Sequence, residues 1–385
     1  MGSKREYALA MWERYRKVAS RQEKQELLDE LVEVAGYTRK HAITLMNKPE
    51  PPLKRTSRGK RPGRPRAYRH CLPAVEVAWE ALDYCCAQRL HSQLVPLIEN
   101  LERHDELRLT REAREELATI SRATLARRLA EMPRGKPRPL LSGQHPNRLM
   151  KSQVPVDRFH WNEDRPGALE VDLVEHSGGR KGHHAYTLSV VDVVSGWSRR
   201  RAVMGKSQAV VHEALQELLS GWPTLVWAIH SDNGTEFLGA HLIKYCQEQG
   251  IEYHRSRPYQ KNDNAHVEQK NRQYVREVVG YERIDNLPGL DWLNAIYDAL
   301  DPYANIFLPS QKIIQKTRQG AKVKKRYDTA KTPLQRLQEK NAVLPHRADE
   351  LAHQQQQINL LALRRNLDHL QGLDPHQYAL PEAAD

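Results

Sequence analysis

The sequence predicts a multidomain protein with all-α segments at the N-terminus, a central α/β domain and a mostly helical C-terminal tail. Two observations carry that expectation, and the length allows it. Apolar residues recur at helical spacing up to about Met132, and the texture turns strand-like from about Trp161. Two stretches rich in Pro, Gly and basic residues, Pro51 to His70 and Pro133 to Pro146, interrupt the chain. A length of 385 residues is enough for two to four domains with a substantial core. The expected segments are 1–50 (helix-turn-helix), 51–70 (basic linker), 71–135 (second helical domain), 136–160 (linker), 161–310 (α/β domain) and 311–385 (basic, helical C-terminal region).

Composition narrows the function classes. Lys plus Arg number 60 against 48 Asp plus Glu, a net charge of +12, which suggests a polyanionic partner such as nucleic acid. Cys71, Cys85, Cys86 and Cys246 form no CxxC pair, and they read as reduced, buried thiols of an intracellular protein. No apolar run approaches the roughly 18 residues of a membrane span, and the N-terminus has no signal-peptide core, so a cytoplasmic protein is expected.

In order along the chain, Ala8, Met11, Trp12 and Tyr15 mark a first helix. A second runs from about Gln22 to Ala35 with Leu27, Leu28, Leu31 and Val32 on one stripe, and Gly36 breaks it. Thr38 can N-cap a short third helix from Arg39 to Met46. Helix, tight glycine turn and short basic helix form a helix-turn-helix pattern, with Arg39, Lys40 and His41 where such a helix meets DNA. The linker carries eight basic residues between Lys54 and Arg69 and no acid. Within it Arg61-Pro-Gly-Arg-Pro-Arg66 resembles an AT-hook, which would put Arg61, Arg64 and Arg66 on phosphates or in a minor groove. Helical spacing resumes from Pro73. Ser121 is a plausible N-cap of a helix with Leu125 and Leu129 inward and Arg122, Arg127 and Arg128 outward, a second helix-turn-helix.

Past Trp161, Ala168 to Val174 alternates, with Leu169, Val171 and Leu173 on one face and Glu170 and Asp172 on the other. Tyr186 to Val191 and Trp197 to Val203 make two further strands around a Ser195-Gly196 turn. Ser207 caps a helix to Leu219. Leu225 to Ile229 reads as a buried strand running into Ser231-Asp232-Asn233-Gly234. A helix to Gln249, a short strand from Ile251 to His254, and a helix from Asn262 or Asp263 to Val279 follow. On that last helix Val267, Tyr274 and Val278 form the apolar stripe, leaving Glu268 at its border. Lys322 to Arg326 is a further basic knot, and the remainder reads as amphipathic helices, an oligomerisation or DNA-contacting tail.

Three acids stand out: Asp172 in the first strand, Asp232 at the end of the fourth and Glu268 in the helix after the fifth. Carboxylates distant in sequence and close in space are what hard divalent ions at a phosphodiester require. The stretches Asp232-Asn-Gly-Thr-Glu-Phe237 and Pro258-Tyr-Gln-Lys-Asn-Asp-Asn-Ala-His-Val-Glu268-Gln-Lys-Asn271 resemble the integrase core shared by retroviral integrases and DDE transposases of bacterial insertion sequences. Thirty-five residues separate Asp232 from Glu268, as in the integrase branch. The resemblance spans about Trp161 to Leu308, and it implies a ribonuclease H-like core. The retroviral zinc module has no match, so no zinc is expected.

The resemblance further implies that Asp172, Asp232 and Glu268 bind two Mg²⁺ or Mn²⁺ ions. Asn271 and Arg272 would face the DNA end and Asn233 would support the turn. The partners would be double-stranded DNA, as element terminal inverted repeats and target DNA, and further copies of the chain in a synaptic homo-oligomer. The setting would be a bacterial, nucleoid-associated one. His230 is read as core or supporting, and Asp192, Asp263 and His266 as turn, N-cap and helix-start residues. Two rival readings remain: a metal nuclease of the same fold that cuts without joining, and a DNA-binding regulator with a dead core.

Overall fold

The computed structural model describes residues 2–49, 68–133, 164–231, 236–237, 240–255, 264–319 and 322–380. Asp232, Asn233, Asp263 and the arginines at 61, 64 and 66 lie outside the described residues. The chain forms two units, 1–67 and 68–385.

The first unit is three helices, α1 (Gly2–Lys17), α2 (Arg21–Ala35) and α3 (Arg39–Met46). Its core is Ala8 and Met11 of α1, Leu27, Leu28, Leu31 and Ala35 of α2, and Ala42 and Met46 of α3. Gly36 ends α2 in the left-handed region at φ 67°, donating its N–H to Val32, where a side chain would be strained. Thr38 then caps α3 by accepting from His41 N–H at 3.4 Å.

The second unit opens with α4 (Leu72–Ala81), α5 (Ala87–Arg103), α6 (Arg111–Thr119) and α7 (Arg122–Glu131). These helices share one buried core with the sheet that follows. Ser121 caps α7, accepting from Thr124 N–H at 3.2 Å, and Leu125 and Leu129 point inward. Arg128 departs from its expected outward position: its side chain is 15% exposed and paired with Glu131 at 3.2 Å.

The sheet comprises β1 (Ala168–Glu175), β2 (Ala185–Asp192), β3 (Ser198–Met204), β4 (Ala228–Ser231) and β5 (Glu252–Arg255), in the spatial order β3-β2-β1-β4-β5. β2 runs against β1 and β3, whereas β4 is parallel to β1 and β5 is parallel to β4. Five strands in this order with only the second reversed is the ribonuclease H-like arrangement. Helix α8 (Gln208–Ser220), capped by Ser207, joins β3 to β4, and α9 (Ala240–Gln249) joins β4 to β5. After β5 comes a helix in three parts: α10 (Ala265–Lys270), a π-helical segment (Asn271–Arg276) and α11 (Glu277–Val279).

The fourth strand starts later than its apolar run suggests. Residues 225–227 precede β4, and Leu225 is exposed. The chain here is pressed against Gly167, where a Cβ would lie 2.0 Å from the Leu225 carbonyl oxygen. Trp227 donates its N–H to Gly167 O at 3.0 Å and accepts the Glu252 N–H at 2.8 Å, so backbone bonding toward both neighbouring strands reaches back only as far as Trp227.

The C-terminal region departs from expectation in two ways. It begins with a β-hairpin, β6 (Ile313–Gln319) and β7 (Lys322–Tyr327), not a helix. Its helices α13 (Pro333–Glu339), α14 (Pro345–Gln357) and α15 (Leu360–Gly372) are part of the body, because Leu334, Leu337, Leu351, Leu360, Leu367 and Leu370 join the main core. Before the hairpin, α12 (Leu287–Pro302) runs into a buried π-helical turn (Tyr303–Phe307). Polar clamps fix the early helices to this end. Asn100 donates to Ile358 O and accepts from Leu360 N–H, Tyr303 donates its hydroxyl to Ala81 O, and Arg364 pairs with Asp83 at 2.9 Å. All four cysteines are free thiols, as expected, but only Cys71 and Cys246 are buried; Cys86 is exposed.

Candidate active site

The parallel ladder between the central strands β1 and β4 pairs Glu170 with His230 and ends at Val171 and Ser231. The next residues on the two strands are Asp172 and Asp232. Both flanks of 232–235 are held from β5. The Tyr253 hydroxyl lies 2.7 Å from Ser231 Oγ and donates to Phe237 O at 2.9 Å, and Phe237 is fully buried.

The helix bearing Glu268 is docked on β1 by hydrogen bonds along its length, ending with Arg276, which donates to Glu175 O at 2.8 Å. Glu170, 1% exposed, accepts the Val267 N–H at 2.8 Å, so a strand carboxylate satisfies a donor in the first turn of α10. Asn271 donates its side-chain amide to Asp172 Oδ2 at 2.7 Å. The apolar stripe behind these contacts is Val267, Tyr274 and Val278, all buried as their spacing requires. Glu268 itself is exposed and Asp172 half-buried.

Glu170 lies close enough to Asp172 and Glu268 to feel both charges. Burial pushes the Glu170 carboxyl up to about 8. The N–H groups of Val267 and His266 pull against that rise, and the charges of Glu268 and Asp172 add to it. Sequence reasoning places Glu170 on the polar face of β1 without giving it a role. Its one signal is its position two residues before Asp172 on the same face.

The donors present fit a hard divalent ion. They are carboxylates, with one further oxygen beside them. The acceptor-only carboxylate of Asp172 fixes the Asn271 amide so that its nitrogen donates, which leaves Asn271 Oδ1 buried and, among the described residues, with no hydrogen-bond partner. An all-oxygen set of this kind suits Mg²⁺ or Mn²⁺. Among the described residues, which exclude Asp232, no three acids, histidines or cysteines converge into a complete metal cluster.

The other expected residues are distributed as follows. Arg272 is exposed and paired with Glu277 at 3.4 Å; the π-helical geometry brings residues five apart together, so its partner is Glu277. His230 is fully buried in β4. Asp192 fastens the β2–β3 turn, accepting from Gly167 N–H, Ser195 N–H and Ser195 Oγ at 2.5, 2.5 and 2.7 Å, with burial raising its pKa. His266 is exposed at the start of α10. Arg39 is half-buried and tied to Asp29 and Gln25 of α2, whereas Lys40 is exposed. Arg122 is exposed on the first turn of α7.

No family model matches the chain. Among solved structures, it is similar to the HTLV-2 integrase catalytic core domain in complex with magnesium, at 16% identity and a TM-score of 0.29, covering 38% of this chain and 91% of that one. It is also similar to the catalytic core domain of BIV integrase, at 18% identity and a TM-score of 0.29, covering 46% and 95% respectively. The fold assignment rests on the strand order and directions given above. Among curated proteins, the uncharacterized protein y4rM of Sinorhizobium fredii (strain NBRC 101917 / NGR234) is 37% identical over 348 residues, spanning 87% of this chain and 95% of that protein. The chain therefore belongs to the same family as y4rM.

Proposed function

We propose that the chain is a DNA transposase that binds the terminal inverted repeats of its element, cleaves at the ends and joins the freed 3′-OH ends to target DNA. The observation that carries this reading is the end of the β1–β4 ladder. Two parallel central strands pair up to the residue before an acid on each, and a helix bearing a third acid is bonded to the first strand beside it. Rigid strand ends suit carboxylates whose separation must not drift.

In this reading Asp172, Asp232 and Glu268 are the metal ligands. Two Mg²⁺ or Mn²⁺ ions bound there would supply activation of the attacking oxygen and stabilisation of the leaving one. Glu170 and Asn271 are positioning residues: Glu170 sets the first turn of α10 on the sheet, and Asn271 holds one oxygen of Asp172. The helices of 1–50 and 71–135 are assigned to end recognition as helix-turn-helix units, with Lys40 and Arg122 on their exposed faces and Arg61, Arg64 and Arg66 in the connecting segment. Arg272, exposed one turn beyond Glu268, is assigned to the DNA end. Synapsis of two ends calls for more than one copy of the chain.

The test is incubation of the full chain with candidate terminal repeats and Mg²⁺, followed by sequencing of joined products. The reading expects 3′ ends covalently joined to target DNA. Cutting without joining would instead identify a nuclease of the same fold, and binding without either would identify a regulator.

A further inference from the structure

The hairpin β6–β7 is unlike every other strand pair in the second unit. All of β6, and Val323 to Tyr327 of β7, are exposed. Residues 313–327 contain Lys316, Arg318, Lys322, Lys324, Lys325 and Arg326 and no acid. A two-stranded ribbon with no buried face is marginal by itself in water. Its register makes matters worse, because Lys316 stands directly opposite Lys325, a like-charge pair that destabilises a ladder. The opposite face pairs Gln315 with Arg326 and Thr317 with Lys324, an uncharged hydrogen-bonding side chain beside a cation each time.

The root of the ribbon, by contrast, is firmly fixed. Lys312 N–H donates to Asp328 Oδ1 at 2.7 Å, and Arg336 pairs with the same carboxylate at 2.7 Å. Lys312 Nζ donates to the carbonyls of Val193 and Val194 in the β2–β3 turn. That turn also meets the helix of Glu268, since Gly196 lies beside Lys270 Nζ. On its other side the root borders a cleft of about 570 Å³ whose lining includes Tyr327 and Asp328 from the ribbon end and Arg122 from α7. A rigidly rooted ribbon with two cationic faces thus projects beside an exposed arginine of a helix already assigned to DNA.

We infer that the β6–β7 ribbon is a DNA-binding arm that lies in the major groove of a duplex, with Arg122 contacting the same duplex from across the cleft. The inference rests on the DNA reading above and adds a surface to it. A two-stranded ribbon fits the width of a major groove, and the phosphates on both walls would neutralise the opposed lysines. The polar face would reach base edges and the other face the backbone.

The experiment is a salt titration of full-length chain on duplex DNA and on a single strand of equal length. It compares the wild type, a variant with Lys316→Gln, Lys324→Gln, Lys325→Gln and Arg326→Gln, and the single change Lys325→Glu. The quadruple variant should bind duplex at least about tenfold more weakly at 0.1 M salt, with a log–log slope shallower by about 0.9 for each phosphate it no longer neutralises. Lys325→Glu sets an opposite charge across from Lys316 and so should strengthen the ribbon, yet it should still weaken duplex binding. That result separates the removal of DNA-binding charge from a failure of the ribbon to fold. Unchanged affinity and slope in both variants, with the wild type binding duplex, would overturn the arm and leave the proposed function standing. Equal weakening on duplex and single strand would overturn the groove. A wild type that binds no duplex would overturn the arm together with the DNA reading.

Discussion

The acid-bearing junction of β1 with α10 and the ribbon β6–β7 are both strongly charged, and they are built on opposite terms. At the junction Glu170 is buried, and Asp172 is held by an amide that is itself buried. In the ribbon Lys316, Lys324, Lys325 and Arg326 are exposed, and the root is fixed by Lys312 and Asp328. The contrast fits a division of labour: chemistry at a phosphodiester needs charges whose positions are fixed, whereas affinity for a polyanion needs charges that can reach it. If that division holds, damage at the junction should remove turnover and spare binding, and damage in the ribbon should do the reverse.

The largest effect should come from Asp172→Asn. Cleavage and joining should fall by on the order of 10³-fold or more, while binding to end DNA stays within a few-fold. Gel-shift and strand-transfer assays on one preparation would check this, and a variant that joins ends at the wild-type rate would remove Asp172 from the site.

A large stability effect is expected at Asp301, which is buried under β3. It pairs with Arg200, whose guanidinium also donates to Ser198 Oγ and lies over the Tyr274 ring. Asp301→Ala should cost about 3–5 kcal/mol by leaving that guanidinium buried and unpaired. Urea unfolding measures it, and a loss below about 1 kcal/mol would mean that the pair contributes little.

Asn271→Ala removes the amide that holds Asp172 without touching a carboxylate. Turnover should drop about 10- to 100-fold, the range seen for residues that orient metal ligands, with DNA affinity unchanged. Equal loss of binding and turnover would make Asn271 a DNA contact instead.

The smallest effect concerns His176. Burial lowers its pKa to about 3 from the ordinary 6.5, with the charge of Arg276 adding to this, and its Nε2 lies 2.8 Å from Thr187 Oγ1. A depressed pKa means that the folded chain holds this ring neutral while the unfolded chain protonates it. Its contribution is therefore complete above about pH 6.5 and is lost progressively as the pH falls toward 3. Between pH 7 and pH 5 the wild type should lose roughly 1–2 kcal/mol more than His176→Gln. Parallel losses in urea titrations at the two pH values would contradict this.

Much of this architecture was legible in the residues. Thr38, Ser121 and Ser207 each cap the helix expected of them, because a short side-chain oxygen before an apolar repeat has one common use. The element order of the sheet domain followed from alternation and turn residues. The ribbon was not legible, because strand prediction depends on one face being apolar and this hairpin has none; six cations in fifteen residues read as a knot. The π-helical turn at Asn271–Arg276 carries no spacing signal either. It is set by docking on β1, and it decides that Arg272 meets Glu277. Glu170 looked like one more residue of a polar face, since its burial depends on α10 arriving from 97 residues away. At the site, the spacing of Asp232 and Glu268 was plain in the sequence, and Asp232 itself lies outside the described residues.

In the proposed function, Asp172, Asp232 and Glu268 together form one metal site at the end of the β1–β4 ladder. Its most direct test is Mn²⁺ binding to the full chain on end DNA, followed by electron paramagnetic resonance, for the wild type and for Asp172→Asn, Asp232→Asn and Glu268→Gln. The account predicts two bound ions per active site in the wild type and loss of occupancy in each variant, with DNA still bound. Wild-type Mn²⁺ occupancy in all three variants would contradict it.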